Sequence, residues 1–132
     1  MIVADASAVI EWLIGGTRGR AAGQIMEKES IHAPAHLDVE VAQVTRRLAI
    51  GAVITPARGR AMLELLAEAP IRRVPLTPLL PRIWALRRNL TSYDAAYVAL
   101  AEALQAPLLT FDRKIPTAPG HHATLVVPES HR

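Results

Sequence analysis

The chain has 132 residues, 51% of them hydrophobic, with 15 Lys+Arg against 12 Asp+Glu and a formal net charge of +3. That length fits a single domain, 1–132, with a core of its own, and the apolar share argues against disorder. Cysteine is absent, which excludes disulfides, thiolate chemistry and cysteine zinc sites and fits a reducing compartment. With no basic flank before an apolar run and no uncharged stretch long enough to span a bilayer, the expectation is a cytoplasmic chain with no membrane partner.

Met1 to Ala4 reads as a strand that ends at Asp5, and Ala6 to Ile14 has helical spacing at Val9 and Leu13. Ser7 could cap this helix or hold the Asp5 carboxylate, and capping is the commoner role. Gly15-Gly16 ends the helix, a loop runs through Gly19, and Arg20 to Glu29 reads as a second, exposed helix. Ser30 to Ala33 is a strand closed by Pro34. A helix then runs from Ala35 to Ile50, is stopped by Gly51, and carries its core stripe at Leu37, Val41, Val44 and Leu48. Its two acids, Asp38 and Glu40, lie roughly 200° apart around the axis, so only one easily faces a given pocket, and periodicity does not decide which.

Thr55-Pro56 starts another helix, with Met62, Leu65 and Leu66 on its buried face. Ile71 to Val74 contains two arginines and is placed at a sheet edge. Thr77 opens a helix through Leu90, with Ile83, Trp84 and Leu86 assigned to the core. Aromatic residues make up only 4% of the chain, which leaves little for an aromatic base-binding surface.

Ser92 to Lys114 is the most informative stretch. Tyr93, Tyr97, Leu100 and Leu104 share one face of an amphipathic helix, Pro107 cannot continue it, and Leu108 to Phe111 reads as a buried strand that stops at Asp112. Phe111 is expected to pack in the sheet. Taken singly, these acids have ordinary readings: Thr91-x-x-Asp94 has the form of a capping box, and Asp112-Arg113-Lys114 that of a polar turn. Thr117 to His122 is a loop with a surface histidine pair, His121-His122, and Ala123 to Val127 a last strand.

Short apolar runs alternating with helices give the α/β class, a three-layer α/β/α sandwich around a mostly parallel sheet. Ligands of such sheets bind outside the carboxyl ends of the strands, where Asp5 and Asp112 both lie. Two carboxylates about 4 Å apart repel by roughly 4 kcal/mol at an effective dielectric near 20, so converging acids need a proton or a cation among them. Oxygen donors without His or Cys suit Mg2+ or Mn2+, and such a centre suits hydrolysis of a phosphodiester. The doublets Arg46-Arg47, Arg72-Arg73 and Arg87-Arg88 are consistent with a polyanionic partner.

Four segments in order, IVADASAVI, PAHLDVEVAQVTRRL, SYDAAYVALAEAL and APLLTFDRK, resemble the PIN-domain proteins, and more narrowly the VapC-type ribonuclease toxins of bacterial toxin–antitoxin pairs. The resemblance spans Ile2 to Lys114. It implies a PIN fold and Mg2+- or Mn2+-dependent cleavage of RNA. It further implies Asp5, Glu40, Asp94 and Asp112 as the catalytic, metal-binding acids and Ser7 and Thr110 as their hydroxyl support. It selects Glu40 over Asp38. It also implies a homodimer inhibited by a cognate VapB-type antitoxin. Arg46, Arg47, Arg113 and Lys114 are candidates for holding the RNA backbone, and His121 and His122 have no family role. Two alternatives keep the fold: a housekeeping RNA-processing nuclease, and a non-catalytic RNA-binding or scaffold module. A haloacid dehalogenase-type phosphotransferase needs an acid where Ser7 stands, and a receiver domain groups its acids differently.

Overall fold

A computed structural model describes residues 1–128. Strand β1 (Ile2–Ala4) leads into α1 (Ala6–Ile14) and α2 (Gly16–Met26), then β2 (Ile31–Pro34), α3 (Leu37–Ile50), α4 (Pro56–Glu68) and β3 (Ile71–Val74). A 3-10 turn (Thr77–Leu79) and α5 (Leu80–Ala85) precede α6 (Ser92–Leu104), β4 (Leu108–Leu109), α7 (Lys114–Thr117) and β5 (Leu125–Val126). The five strands pair in the order β3-β2-β1-β4-β5, every pair parallel. Val3 sits between His32 and Leu108 in register.

Parallel strands need crossover helices that cover both faces of the sheet, which is why β1 is buried along its whole length and reads as an unbroken apolar run. The chain winds outward from β1 to β3 through α1 to α4, then returns through α5 and α6 to place β4 on the other side of β1. Right-handed crossovers put the outward and returning helices on opposite faces. α1 packs against α2, α3 and α4, while α6 lies over β1, β2 and β4. The reversal between β1 and β4 opens a crevice at their carboxyl ends, the place where a doubly wound sheet receives ligands.

Several sequence expectations change for physical reasons. α6 is not amphipathic: Ala95 through Ala101 are all buried, because the helix crosses the sheet centre under α5, and Tyr93 is 65% exposed. α2 begins at Gly16, not Arg20, because Gly15 and Gly16 both have positive φ, 87° and 77°, and turn the chain without a loop. Gly19 then lies so close to α1 that a Cβ there would meet the Glu11 carbonyl oxygen at 2.4 Å. On α3 the buried stripe runs Leu37, Val41, Thr45, with Val44 and Leu48 half-buried, and the Thr45 hydroxyl donates back to the Val41 carbonyl at 2.8 Å.

Leu65 and Trp84, assigned to the core, are 51% and 67% exposed, and Trp84 is covered on one side by the Arg87 guanidinium at 4.5 Å. The helix read over 77–90 is broken into the 3-10 turn and α5, with Pro78 and Pro81 each near the start of its own short piece. β3 is the edge strand, as its arginines predict. Arg73 reaches across to the Asp38 carboxylate at 2.9 Å and to the Leu66, Ala69 and Ile71 carbonyls, tying β3 to α3 and to the end of α4.

Candidate active site

Asp5 terminates β1 and caps α1 with its own side chain, Oδ1 accepting the Ala8 N–H at 3.0 Å. Ser7 is therefore not the cap. Its hydroxyl donates to Asp5 Oδ1 at 2.6 Å and accepts the Phe111 N–H at 2.8 Å. Thr110, fully buried past the end of β4, donates to Asp5 Oδ2 and accepts the Asp112 N–H at 2.9 Å. Two hydroxyls thus fasten the β1–α1 junction to the backbone leaving β4, fixing where Asp5 and Asp112 emerge relative to each other.

Asp5 is 4% exposed. Burial pushes its carboxyl up to about 6 despite the bonds from Ser7, Thr110 and Ala8, and the Asp112 charge adds to the rise. Asp94 lies in the first turn of α6, where Thr91 caps its N–H at 3.2 Å, so the capping role holds for Thr91. The Asp94 carboxyl is also raised, by burial first and then by the charges of Asp112 and Glu40, with Lys114 opposing. Glu40, on α3, accepts the Tyr97 hydroxyl at 2.8 Å and pairs with His36 at 2.9 Å. Burial and then the charge of Glu40 raise the Tyr97 phenol, with Asp5 and Asp94 contributing.

Asp5, Glu40, Asp94 and Asp112, from four separate segments, thus feel one another's charge in sequence, Asp5 with Asp112, and Asp94 with both Asp112 and Glu40. Asp38 turns away to Arg73. Among the described residues, none of Asp5, Asp94 and Asp112 is in an ion pair with Lys or Arg. Nor, as the side chains stand, do three His, Asp or Glu groups close into a set that could hold an ion. Glu40 is instead engaged by the Tyr97 hydroxyl, and Asp112 by the Lys114 N–H at 2.9 Å.

Of the candidate basic residues, Lys114 lies near enough to Asp94 to act on its charge. Arg47 lines a groove of about 350 Å3 together with Glu40, Gln43 and Tyr93. Arg113 and Arg46 are exposed, and no contact draws them to the acids. Phe111 is half-buried beneath the Arg18 guanidinium at 5.8 Å. His121 is structural, its Nε2 at 2.9 Å from the Ile115 carbonyl and its Nδ1 accepting the Ala123 N–H. A wider cavity of about 600 Å3 lies at the amino ends of β4 and β5, by Pro107 and Thr124. Its Glu102 accepts from the Arg82 guanidinium and from the His122 N–H. Sequence reasoning missed His36 and placed Tyr97 only as core; a tyrosine within an alanine-rich buried helix was the available signal, since its hydroxyl needs a partner.

The PIN domain family model matches residues 2–120. Ribonuclease VapC12 of Mycobacterium tuberculosis is 39% identical over 125 residues, covering 95% of this chain and 97% of that protein. Ribonuclease VapC1 of the same species is 42% identical over 120 residues, covering 89% and 90%. Among solved structures, a toxin–antitoxin complex from Klebsiella pneumoniae superposes with a TM-score of 0.71 at 18% identity, over 99% of this chain and 100% of that one, a likeness of fold. By the family model and by these relatives, the chain belongs to the PIN-domain family and, within it, to the VapC ribonucleases.

Proposed function

We infer that this chain is a metal-dependent endoribonuclease toxin, cutting RNA phosphodiester bonds and held in check by a cognate antitoxin. The observation that carries the reading is the near end-to-end match to VapC ribonucleases at 39% and 42% identity. The crevice adds a physical reason. Four carboxylates within electrostatic reach, one raised to about 6, form a hard oxygen donor set whose mutual repulsion a divalent cation would relieve.

In this reading Asp5, Glu40, Asp94 and Asp112 hold Mg2+ or Mn2+, which when bound supplies charge neutralisation at the scissile phosphate and acidifies an attacking water. The chain's own residues do the rest. Ser7 and Thr110 keep both Asp5 oxygens pointed and hold the backbone ahead of Asp112. Lys114 and Arg47 lie beside the acids where a phosphate backbone would approach, and their charge favours it. A homodimer and a VapB-type antitoxin belong to the same reading, the antitoxin reaching the acid crevice with a cationic side chain.

The test is cleavage of labelled total RNA by the purified chain, with Mg2+ or Mn2+ against EDTA. We expect cuts at discrete sites that EDTA abolishes and that Asp94→Asn lowers by at least about a hundredfold. Cleavage that persists in EDTA would remove the metal-dependent reading.

A further inference from the structure

Glu40 differs from the other three acids in how it is held. Asp5 and Asp112 are fixed by their own turns and by Ser7 and Thr110, whereas Glu40 reaches from the first turn of α3 with a flexible side chain, 28% exposed. One of its oxygens, Oε1, accepts the Tyr97 hydroxyl at 2.8 Å and lies 2.9 Å from the His36 Nε2. Among the described residues Oε2 accepts no hydrogen bond, so the carboxylate has one oxygen committed and one open.

The same His36 nitrogen lies 3.1 Å from the Tyr93 carbonyl. A carbonyl only accepts, so Nε2 carries the proton and donates it there, with Glu40 Oε1 close beside it. The Tyr93 carbonyl belongs to the residue immediately before Asp94. A single imidazole therefore ties the side chain of one acid to the backbone that carries another. Tyr97 is 1% exposed, and its ring centroid is 4.8 Å from that of His36, so neither donor has room to swing away. Packing alone does not call for these polar atoms: Leu37 and Val41, both fully buried, already anchor this end of α3, and a phenylalanine would fill the volume of Tyr97.

We propose that His36 and Tyr97 are positioning residues that lock Glu40 through Oε1, leaving Oε2 as its ligand oxygen, and that His36 also sets the spacing of Glu40 to Asp94. The proposal rests on the metal-site reading above. Removing either donor leaves a carboxylate that must be ordered by the cation itself, so affinity for the cation falls while the reaction at saturation survives.

The experiment is titration with Mn2+, read by the electron paramagnetic resonance signal of the free ion, on wild type, Tyr97→Phe, His36→Phe, Glu40→Ala and the double variant Glu40→Ala/Tyr97→Phe. We expect Tyr97→Phe and His36→Phe each to weaken Mn2+ binding by about tenfold, with melting temperature in EDTA near wild type. RNA cleavage by both should show a raised Mn2+ half-saturation with kcat within a few-fold of wild type. In the Glu40→Ala background, Tyr97→Phe should cause no further loss. Unchanged Mn2+ affinity in both single variants, beside a clear loss in Glu40→Ala, would overturn the lock while leaving the metal site standing. A further loss in the double variant would show Tyr97 acting other than through Glu40 and would also overturn it. An unchanged Glu40→Ala would remove the metal-site reading and the lock with it.

Discussion

Asp5 is both buried and surrounded by groups that favour its charge, and burial prevails. Folded, its carboxyl titrates at about 6 against an ordinary 3.8, so the native state binds more protons than the unfolded chain between those two values. Stability from this group is therefore largest below about pH 4 and is lost as pH rises through about 6, a difference of up to about 3 kcal/mol. In EDTA, thermal melts should show wild type losing stability over that window relative to Asp5→Asn, which has no such group. At pH 7 and without metal the Asn variant should be the more stable by about 2 kcal/mol while being inactive. Saturating Mn2+ should erase the difference in slope, because the cation takes the proton's place. An Asp5→Asn protein no more stable than wild type in EDTA at pH 7 would refute the view that the fold holds this acid under strain.

At the scale of elements, the acids stay in place because helices meet the sheet and each other at close range. Gly19 lets α2 lie against α1, whose first turn Asp5 caps. Gly19→Ala would drive a methyl group into the Glu11 carbonyl, a backbone atom that cannot step aside, so we expect a loss of about 2 kcal/mol in urea unfolding with RNA cleavage retained in the folded fraction. A neutral outcome would mean that the two helices can slide apart freely. Arg73 is the corresponding tie on the other flank, binding the Asp38 carboxylate and the last carbonyls of α4. Arg73→Met should cost about 2 kcal/mol by the same measurement, since it leaves acceptors of α4 and β3 unpaired. The two acids of α3 thus divide between stability, Asp38, and the crevice, Glu40.

At the scale of the whole molecule, four of the 12 acids belong to the proposed site, so the rest of the chain, with 15 Lys+Arg, is more basic than the net charge of +3 suggests. RNA held through about three phosphates should lose affinity by roughly twentyfold between 50 and 200 mM salt, so KM for RNA should rise by that factor with kcat unchanged. A flat KM would mean that the basic residues do not touch the backbone.

The sheet and its acids were legible because short apolar runs ending in Asp5 and Asp112 carry both period and chemistry. Thr91, Thr55 and the edge arginines of β3 were legible for similarly local reasons. Ser7 as a brace, Trp84 at the surface and the all-round burial of α6 were not, because each depends on which element lies opposite, and periodicity within one helix is silent on that. His36 and Tyr97 were hidden for the same cause: their partner, Glu40, is distant in sequence from Tyr97 and is offered only once the sheet brings the start of α3 to α6.

The most direct test of the central claim is a crystal structure grown with Mn2+, with anomalous scattering measured at the manganese edge. We expect a peak in the crevice between β1 and β4, contacted by oxygens of Asp5, Asp94 and Asp112 and reached by Glu40 Oε2. A peak at another place, such as His121 and His122, with the crevice empty at saturating Mn2+, would contradict the assignment of these four acids.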